Sequence, residues 1–397
     1  MKQVRVGIVG AGFVSEIHAR AYRSIGRANV ELVAVSSRSH DSAASFAARF
    51  DIPDVVGVDE LLRREDVDVI DVCVPNASHE ALTIAAARAG KHVICEKPLT
   101  GCFEMTDTDG KPLTKKQMLS AALASADRMM DACTSNGVQL MYAENWAYMP
   151  AIDRAAELVA ASGGVILEMR AEESHHGSHS AAARRWKDSG GGSMMMLGAH
   201  PLGALLRLKR EEGLRRNGRP IRARSVLAQT ADLTDVAAFD AADSYVLKAW
   251  EDVENWCLSV ITFEDGARAV VTASYNCVGG MRDTLEIYAT NMRVHCNLSN
   301  NSMLQAYAPS EDVFRGVELA EKLETNAGWS YPAVGDDMLQ GYSRELGDFV
   351  DAVSSGRPAL SDGSLGRDVL ELIYGSYASA ESGTAFPLGG DRPGVTR

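Results

Sequence analysis

The first candidates for chemistry in this chain are two charged residues standing before a proline, Glu96-Lys97-Pro98. A lysine amine can pass a proton, and a carboxylate beside it can accept hydrogen bonds from the amine or from a ligand hydroxyl. Pro98 holds Lys97 to extended geometry, so the amine is aimed, and a Lys-Pro bond is free to be cis at modest cost. A second candidate is Gly10-Ala11-Gly12-Phe13-Val14-Ser15, a G-x-G-x-x-S run in which serine stands at the third glycine position. Glycines spaced in this way let a pyrophosphate approach the backbone at a helix N-terminus. The third is Glu172-Glu173-Ser174-His175-His176-Gly177-Ser178-His179, rich enough in histidine and carboxylate to suggest a metal. It offers no helical i, i+4 histidine pair, and on a strand His175 and His176 face opposite ways. Polar contact with a substrate is therefore the preferred reading, an inert loop is the next, and no metal is assigned.

These groups need elements to position them. Residues 4–9 form an apolar strand that enters the glycine run, and residues 17–25 continue it as a helix. A second strand at 31–35 ends in Ser36-Ser37-Arg38. A cofactor 2′-hydroxyl is usually met here by Asp or Glu and a 2′-phosphate by Arg. With Ser37 in place of an acid and Arg38 next to it, NADP(H) is slightly favoured over NAD(H). Helices at 42–50, 58–64 and 80–89 alternate with strands at 67–74 and 93–95, the last leading into Glu96. A helix at 117–136 and a strand at 138–143 complete a parallel, doubly wound sheet, whose ligands bind beyond the C-terminal strand ends. Residues 101–116 are turn-rich and polar, as in a surface excursion.

Beyond Glu144 the pattern changes. A helix at 151–162 and a strand at 165–173 precede a helix at 193–208 that carries His200. Strands then follow one another at 224–230, 256–263, 267–274, 283–289 and 292–297 without intervening helices. Helices at 338–355 and 362–382 close the chain. The fold class expected is α/β joined to α+β: a Rossmann dinucleotide-binding domain over residues 1–143, then a domain over 144–390 built on a large, mostly antiparallel open sheet.

The 397 residues carry 40 basic and 53 acidic side chains, a net charge of −13 with no offsetting basic run. That excludes nucleic acid or an anionic membrane as the main partner. Seven cysteines, widely spaced and without a C-x-x-C pair, indicate neither a disulfide framework nor a zinc site. No apolar run is long enough to span a bilayer. Residues 1–3 lead straight into a strand, which leaves no room for a signal peptide, so a cytoplasmic location is expected.

The glycine run after one strand and the Glu96-Lys97-Pro98 tripeptide after another together resemble the Gfo/Idh/MocA family of nicotinamide-dependent oxidoreductases. The resemblance covers nearly the whole chain apart from an insertion at 102–115 and some later loops. It implies an NAD(P) cofactor and hydride exchange with a secondary alcohol or ketone of a sugar, cyclitol or glycoside. It assigns cofactor contacts to Gly10, Gly12, Phe13, Val14, Ser36, Ser37 and Arg38. Pro75-Asn76-Ala77-Ser78-His79 resembles the family's TPN-x-x-H turn, adding Pro75, Asn76 and His79 to Glu96 and Lys97 around the ribose and nicotinamide. For His79 a purely structural place at a helix start stays open. Glu96 is expected to turn towards the ribose.

Lys97 and His200 are the implied catalytic pair, with Asn145, Trp146 and His176 facing the substrate. Trp146 stands where an arginine is expected, which points to a stacking surface and away from an anionic substrate. The family's second segment also has an aspartate four residues before the histidine and an acid three residues after it. Here those positions are Met196 and Gly203, and Glu144, Glu172 and Glu173 are the candidate replacements. Two rival readings are a lyase that oxidises its sugar only transiently and recycles the cofactor, and a non-catalytic cofactor-binding regulator. Lys97 and His200 argue against the regulator. The family's habit of pairing open sheet faces implies a homo-oligomer, dimer or tetramer.

Overall fold

The computed structural model describes residues 3–25, 29–178, 180–299, 306–315, 319, 322–330 and 339–389. In the first part β1 (Val4–Val9), α1 (Phe13–Ile25), β2 (Val30–Ser36), α2 (His40–Phe50), β3 (Asp54–Val55) and α3 (Val58–Arg63) alternate. They are followed by β4 (Val69–Val72), α4 (His79–Arg88), β5 (His92–Glu96), α5 (Lys115–Ser135) and β6 (Leu140–Ala143). The six strands form a parallel sheet in the order β3-β2-β1-β4-β5-β6. Both β4 and β6 are buried along their whole length, as continuous apolar runs in a helix-covered parallel sheet must be. Chain order reverses between β1 and β4, which opens a crevice at the strand ends.

The second part contains α6 (Pro150–Ser162), β7 (Ile166–Ser174), α7 (Trp186–Ser189), α8 (Ser193–Met196), α9 (Ala199–Asn217) and β8 (Ala223–Ala231). Then come β9 (Trp256–Phe263), β10 (Arg268–Ser274), β11 (Arg282–Ala289), β12 (Arg293–Asn297) and the short β13 (Ala306–Ala308) and β14 (Gly328–Ser330). The chain closes with α10 (Tyr342–Ser355), α11 (Gly363–Ser382) and β15 (Phe386–Pro387). Seven strands pair in the order β12-β11-β7-β10-β9-β8-β15, antiparallel throughout except β7 with β10. Along β9 half-buried and buried residues alternate, the mark of a sheet packed on one face only.

Two expectations need correction. The helix read at 193–208 is two helices, broken at Leu197 and Gly198, and the second runs on to Asn217. Gly198 folds back over Met194, where an added Cβ would come within 2.6 Å of the Met194 carbonyl oxygen. His200 therefore sits in the first turn of α9 and not in the middle of one long helix. The helix read from 338 begins at Tyr342, and residue 338 lies outside the described residues.

The last two helices return to the first sheet. α10 packs on α1, and α11 packs on α5 and on β8. The Ser361 hydroxyl donates to the Tyr142 carbonyl at 2.6 Å, and the Tyr142 N–H donates to the Ser361 carbonyl at 3.0 Å. The excursion after Thr100 is anchored at its start by the Trp186 indole, which donates to the Cys102 carbonyl at 2.9 Å. No helix among the described residues is long and apolar enough to cross a membrane.

Candidate active site

Parallel pairing of β5 with β4 and β6 carries Glu96 and Lys97 to the crevice edge of the sheet, beside Ala143. The Lys97–Pro98 peptide is cis. His79, expected among the cofactor contacts, is instead fully buried beneath this turn and does not line the cleft. Its ring nitrogens lie 3.0 Å from the Pro98 carbonyl and 2.9 Å from the Val74 carbonyl, so it ties two strand-end turns together. Burial holds this imidazole below its usual range.

Glu96 lines the cleft and is turned within it towards His18. Its Oε1 accepts from His18 Nε2 at 3.1 Å, and its Oε2 accepts from the Lys97 N–H at 2.9 Å. The other ring nitrogen of His18 donates to Asp71 at 2.9 Å, and the Tyr22 hydroxyl donates to the same carboxylate at 3.0 Å. Burial opposes a charge on His18, but the Asp71 carboxylate outweighs it and holds the imidazole well above its usual range. With Glu96 engaged in this way, the Lys97 side chain is left to cross the cleft. Its Nζ donates to the Met196 carbonyl at 2.8 Å.

The facing wall is assembled from distant segments. His200 Nδ1 donates to Glu144 Oε1 at 2.7 Å, which leaves Nε2 as the ring's acceptor. Glu144 is completely buried, and Trp146 stacks on the imidazole with ring centroids 6.1 Å apart. Burial holds His200 below its usual range; Glu144 pulls the other way and the Lys97 charge adds to the lowering. Glu254 fixes the segment that carries Met196. Its carboxylate accepts from the Gly192 and Met194 N–H groups, each at 2.9 Å, and from the Tyr377 hydroxyl at 2.9 Å. Asn145 is buried, its amide donating to the Gln340 carbonyl at 2.8 Å.

Between the walls lies a cleft of about 1130 Å³, lined by Lys97, His200, Asn145 and Trp146 on the chemical side and by Phe13, Val14 and Pro75 at the other end. Gly10 has φ +123° and donates its N–H to the Ser36 carbonyl at 2.8 Å; a Cβ there would come 2.0 Å from the Cys73 carbonyl oxygen. Packing alone demands that glycine. Gly12 differs: a Cβ there would meet nothing within 4 Å. The open space over Gly12, at the start of α1, fits a pyrophosphate laid against the helix N-terminus. Asn76 lines the cleft, and its amide reaches across to the Ser189 carbonyl at 2.9 Å. Ser37 and Arg38 stand half-buried and exposed just past β2, outside the cleft lining.

In the histidine-rich run the two described rings part company. His175 lines the cleft, buried, against Tyr275. His176, the one expected to face the substrate, does not line the cleft; its Nδ1 lies 3.2 Å from the carboxylate of Glu324, which does. His179 lies outside the described residues. Among the described residues the group with metal-ligand spacing is His18, Asp71 and Cys73, and these atoms are engaged with one another. The thiol donates to Asp71 at 3.3 Å and is pushed up to about 12 by burial.

A model of the oxidoreductase family with an NAD-binding Rossmann fold matches residues 4–109, and a model of the GFO/IDH/MocA C-terminal domain matches residues 153–295. The chain belongs to the Gfo/Idh/MocA family. It is 28% identical to D-xylose 1-dehydrogenase (NADP(+)) 2 of Haloferax volcanii, over 96% of this chain and 98% of that protein. It is 26% identical to levoglucosan dehydrogenase of Pseudarthrobacter phenanthrenivorans, over 91% of this chain and 93% of that protein. The solved structure of GenD2 from gentamicin A biosynthesis in complex with NAD superposes with a TM-score of 0.79 at 26% identity, covering 98% of this chain and 97% of its own.

As a Gfo/Idh/MocA chain this one lacks the acids expected at 196 and 203, and at 203 the geometry gives a reason. A Cβ on Gly203 would come 2.5 Å from Glu144 Cγ. Glu144 thus occupies space that any larger residue at 203 would take, and from there it reaches His200. Of the three acids that sequence reasoning left open, Glu144 is the one against the imidazole. Sequence reasoning passed over His18, Asp71 and Glu254. For His18 a signal existed, a histidine on the inward face of α1, whereas Glu254 precedes its strand with no local pattern to mark it.

Proposed function

We propose that this protein is an NAD(P)-dependent dehydrogenase or reductase acting on a secondary alcohol, or the matching ketone, of a sugar, cyclitol or glycoside. The observation that carries the reading is the meeting of Lys97 and His200 from opposite domains in one cleft, with Lys97 Nζ 2.8 Å from the carbonyl of Met196, four residues before His200. When bound, the nicotinamide supplies the hydride acceptor or donor. Lys97 takes the hydroxyl proton as the alcohol is oxidised and returns it in the reverse direction. His200, neutral and with Nδ1–H held by Glu144, presents Nε2 to the same oxygen. Trp146 is engaged with the imidazole, so it shapes the pocket as a ring wall. The relatives named above are dehydrogenases matched along nearly their whole length, which favours net hydride transfer over the elimination and sensor readings.

The finer assignments are proposals too. Ser37 followed by Arg38 favours NADP(H) slightly, since no carboxylate there repels a 2′-phosphate. Residues 1–143 are proposed as the cofactor domain and residues 144–390 as the substrate and assembly domain. Leu167 and Leu227, exposed on the uncovered sheet face, suit pairing with a second copy. The cytoplasm is the proposed location. The test is a screen of polyols, sugars and glycosides with both cofactors, read by reduced-nicotinamide absorbance. Turnover of at least one sugar or cyclitol with net change in cofactor redox state is expected. Substrate consumption without that net change would move the assignment to the lyase reading.

A further inference from the structure

Beneath the two walls lies a buried acid that the proposed chemistry does not use. Glu345, in the first turn of α10, is completely buried, and neither carboxyl oxygen has a hydrogen-bond partner among the described residues. One oxygen of Glu144, Oε2, is in the same state, as is the Tyr142 hydroxyl. The backbone brings them together. The Asn145 amide donates to the Gln340 carbonyl at 2.8 Å. Gly341 lies so tightly on the turn after Glu144 that a Cβ would come 2.4 Å from the Asn145 carbonyl oxygen. Tyr342 packs on His18 with ring centroids 6.1 Å apart, which fixes the side of α10 that carries Glu345 towards α1 and the strand ends.

The groups that act on Glu345 are His18 and Tyr22 from α1, Asp71 from β4, Glu96 from β5, Tyr142 from β6, and Glu144 and Tyr148 from the turn that follows. Burial first, and then the neighbouring carboxylates, hold Glu345 well above the usual carboxylate range, with His18 opposing them. Glu345 has no other hydrogen-bond partner among the described residues, and a carboxyl group buried among this many like charges keeps its proton.

We infer that Glu345 carries a proton and donates it, directly or through one water, to the open Oε2 of Glu144, which makes Glu345 a positioning residue for His200. The consequence is a tautomer. With Oε2 satisfied, Glu144 keeps Oε1 on His200, Nδ1 keeps its hydrogen and Nε2 stays an acceptor. Without that donor Oε2 is left buried with no partner, the carboxylate turns from His200 to find one, and the imidazole is free to carry its hydrogen on Nε2, which blocks acceptance from the substrate oxygen. A buried carboxylate orienting its histidine in other enzymes works by the same logic.

The inference rests on the dehydrogenase reading, and the experiment separates the two. Full-length wild type, Glu345→Gln and Glu345→Leu are compared by nitrogen NMR of labelled histidines and by pH profiles of kcat with a turned-over sugar. The amide of Glu345→Gln still donates to Glu144, so its kcat, acid limb and His200 tautomer should match wild type. Glu345→Leu should lose kcat about tenfold or more with KM little changed. Its acid limb should move to lower pH, because His200 loses the raising effect of Glu144, and its His200 hydrogen should move to Nε2. The proposal is overturned if Glu345→Gln behaves as Glu345→Leu does, or if Glu345→Leu keeps the wild-type tautomer and limb. If Glu345→Leu does not fold, the infrared difference between wild type and Glu345→Gln decides. A protonated-carboxyl band lost in the variant supports the pairing, and no such band at neutral pH overturns it. Should the wild type turn over no sugar or polyol, the dehydrogenase reading falls, while the NMR and infrared results still judge the carboxyl pair.

Discussion

The Lys97 backbone is held by its neighbours in sequence, whereas His200 is held by residues scattered along the chain. The lysine wall consists of one strand end, one proline, and a histidine whose ring fastens that turn to the end of β4. The histidine wall needs Glu144 for its hydrogen bond, Trp146 for its stack, Gly203 for space and Glu254 to fix the preceding segment. A wall that is local in sequence keeps its shape when the rest of the domain varies. A wall assembled from distant parts can exchange one acid for another, provided that the volume is exchanged with it. Gly203 and Glu144 are linked in this way: the space that a side chain at 203 would need is taken by the buried acid at 144.

Removing the amine of the local wall should cost most. Lys97→Met is expected to lower turnover by a factor on the order of 10²–10⁴, with cofactor affinity nearly unchanged. Single-turnover hydride transfer across pH is the measurement. A variant running near the wild-type rate with the same profile would make Lys97 a scaffold residue and assign the proton elsewhere.

The assembled wall should fail in a coupled way. Glu144→Ala leaves the His200 Nδ1–H without its acceptor and should cost roughly 10–100-fold in kcat. Gly203→Ala adds a Cβ within 2.5 Å of Glu144 Cγ and should displace the same carboxylate for a comparable loss. The double variant should then cost no more than either single one. Fully additive losses would mean that position 203 acts independently of Glu144.

The pH dependence distinguishes the walls by sign. Burial already depresses His200, so the acid limb of kcat/KM that it controls lies below the ordinary histidine range in the wild type. Glu144 raises it and Lys97 lowers it. Hence Glu144→Gln should move that limb further down, and Lys97→Met should move it up. Shifts in the same direction for both variants would show that another group titrates.

Which parts of this were legible follows from the same contrast. The parallel sheet could be read because each strand announces itself by its own apolar run and each helix by its own period; β9, at residues 256–263, was readable to the residue. Lys97 was legible because Pro98 and β5 sit beside it. The break at Gly198 was not, since an apolar run of Met194, Met195, Met196 and Leu197 looks the same in one helix as in two. Glu254, far along the chain, holds that first turn: its carboxylate accepts from the Gly192 and Met194 N–H groups and its carbonyl from the Ser193 N–H. The hydrogen-bond partner of Glu96 was hidden for a related reason: His18 lies 78 residues away, and alternation along a strand names a face but not the partner on it. His176 shows the limit of alternation, for it separates His175 from His176 without saying which of them meets the cleft.

The smallest expected effect lies at the far end of the local wall, where β2 meets the cofactor's adenosine half. Ser37 is half-buried and Arg38 exposed, and Arg38 forms no ion pair among the described residues, so both are free to respond to a ribose substituent. A carboxylate at 37 would accept from a 2′-hydroxyl and repel a 2′-phosphate. Ser37→Asp should therefore shift the ratio of kcat/KM for NADP(H) over NAD(H) towards NAD(H) by about tenfold, roughly 1.4 kcal/mol. Turnover at saturating cofactor should barely change, because Lys97 and His200 are built from other segments. Both ratios come from initial rates with one sugar and each cofactor in turn. A wild-type enzyme that already favours NAD(H) tenfold would contradict the reading of Ser37 and Arg38. A variant that lost turnover at saturating cofactor would show that the two ends of the cleft are mechanically coupled.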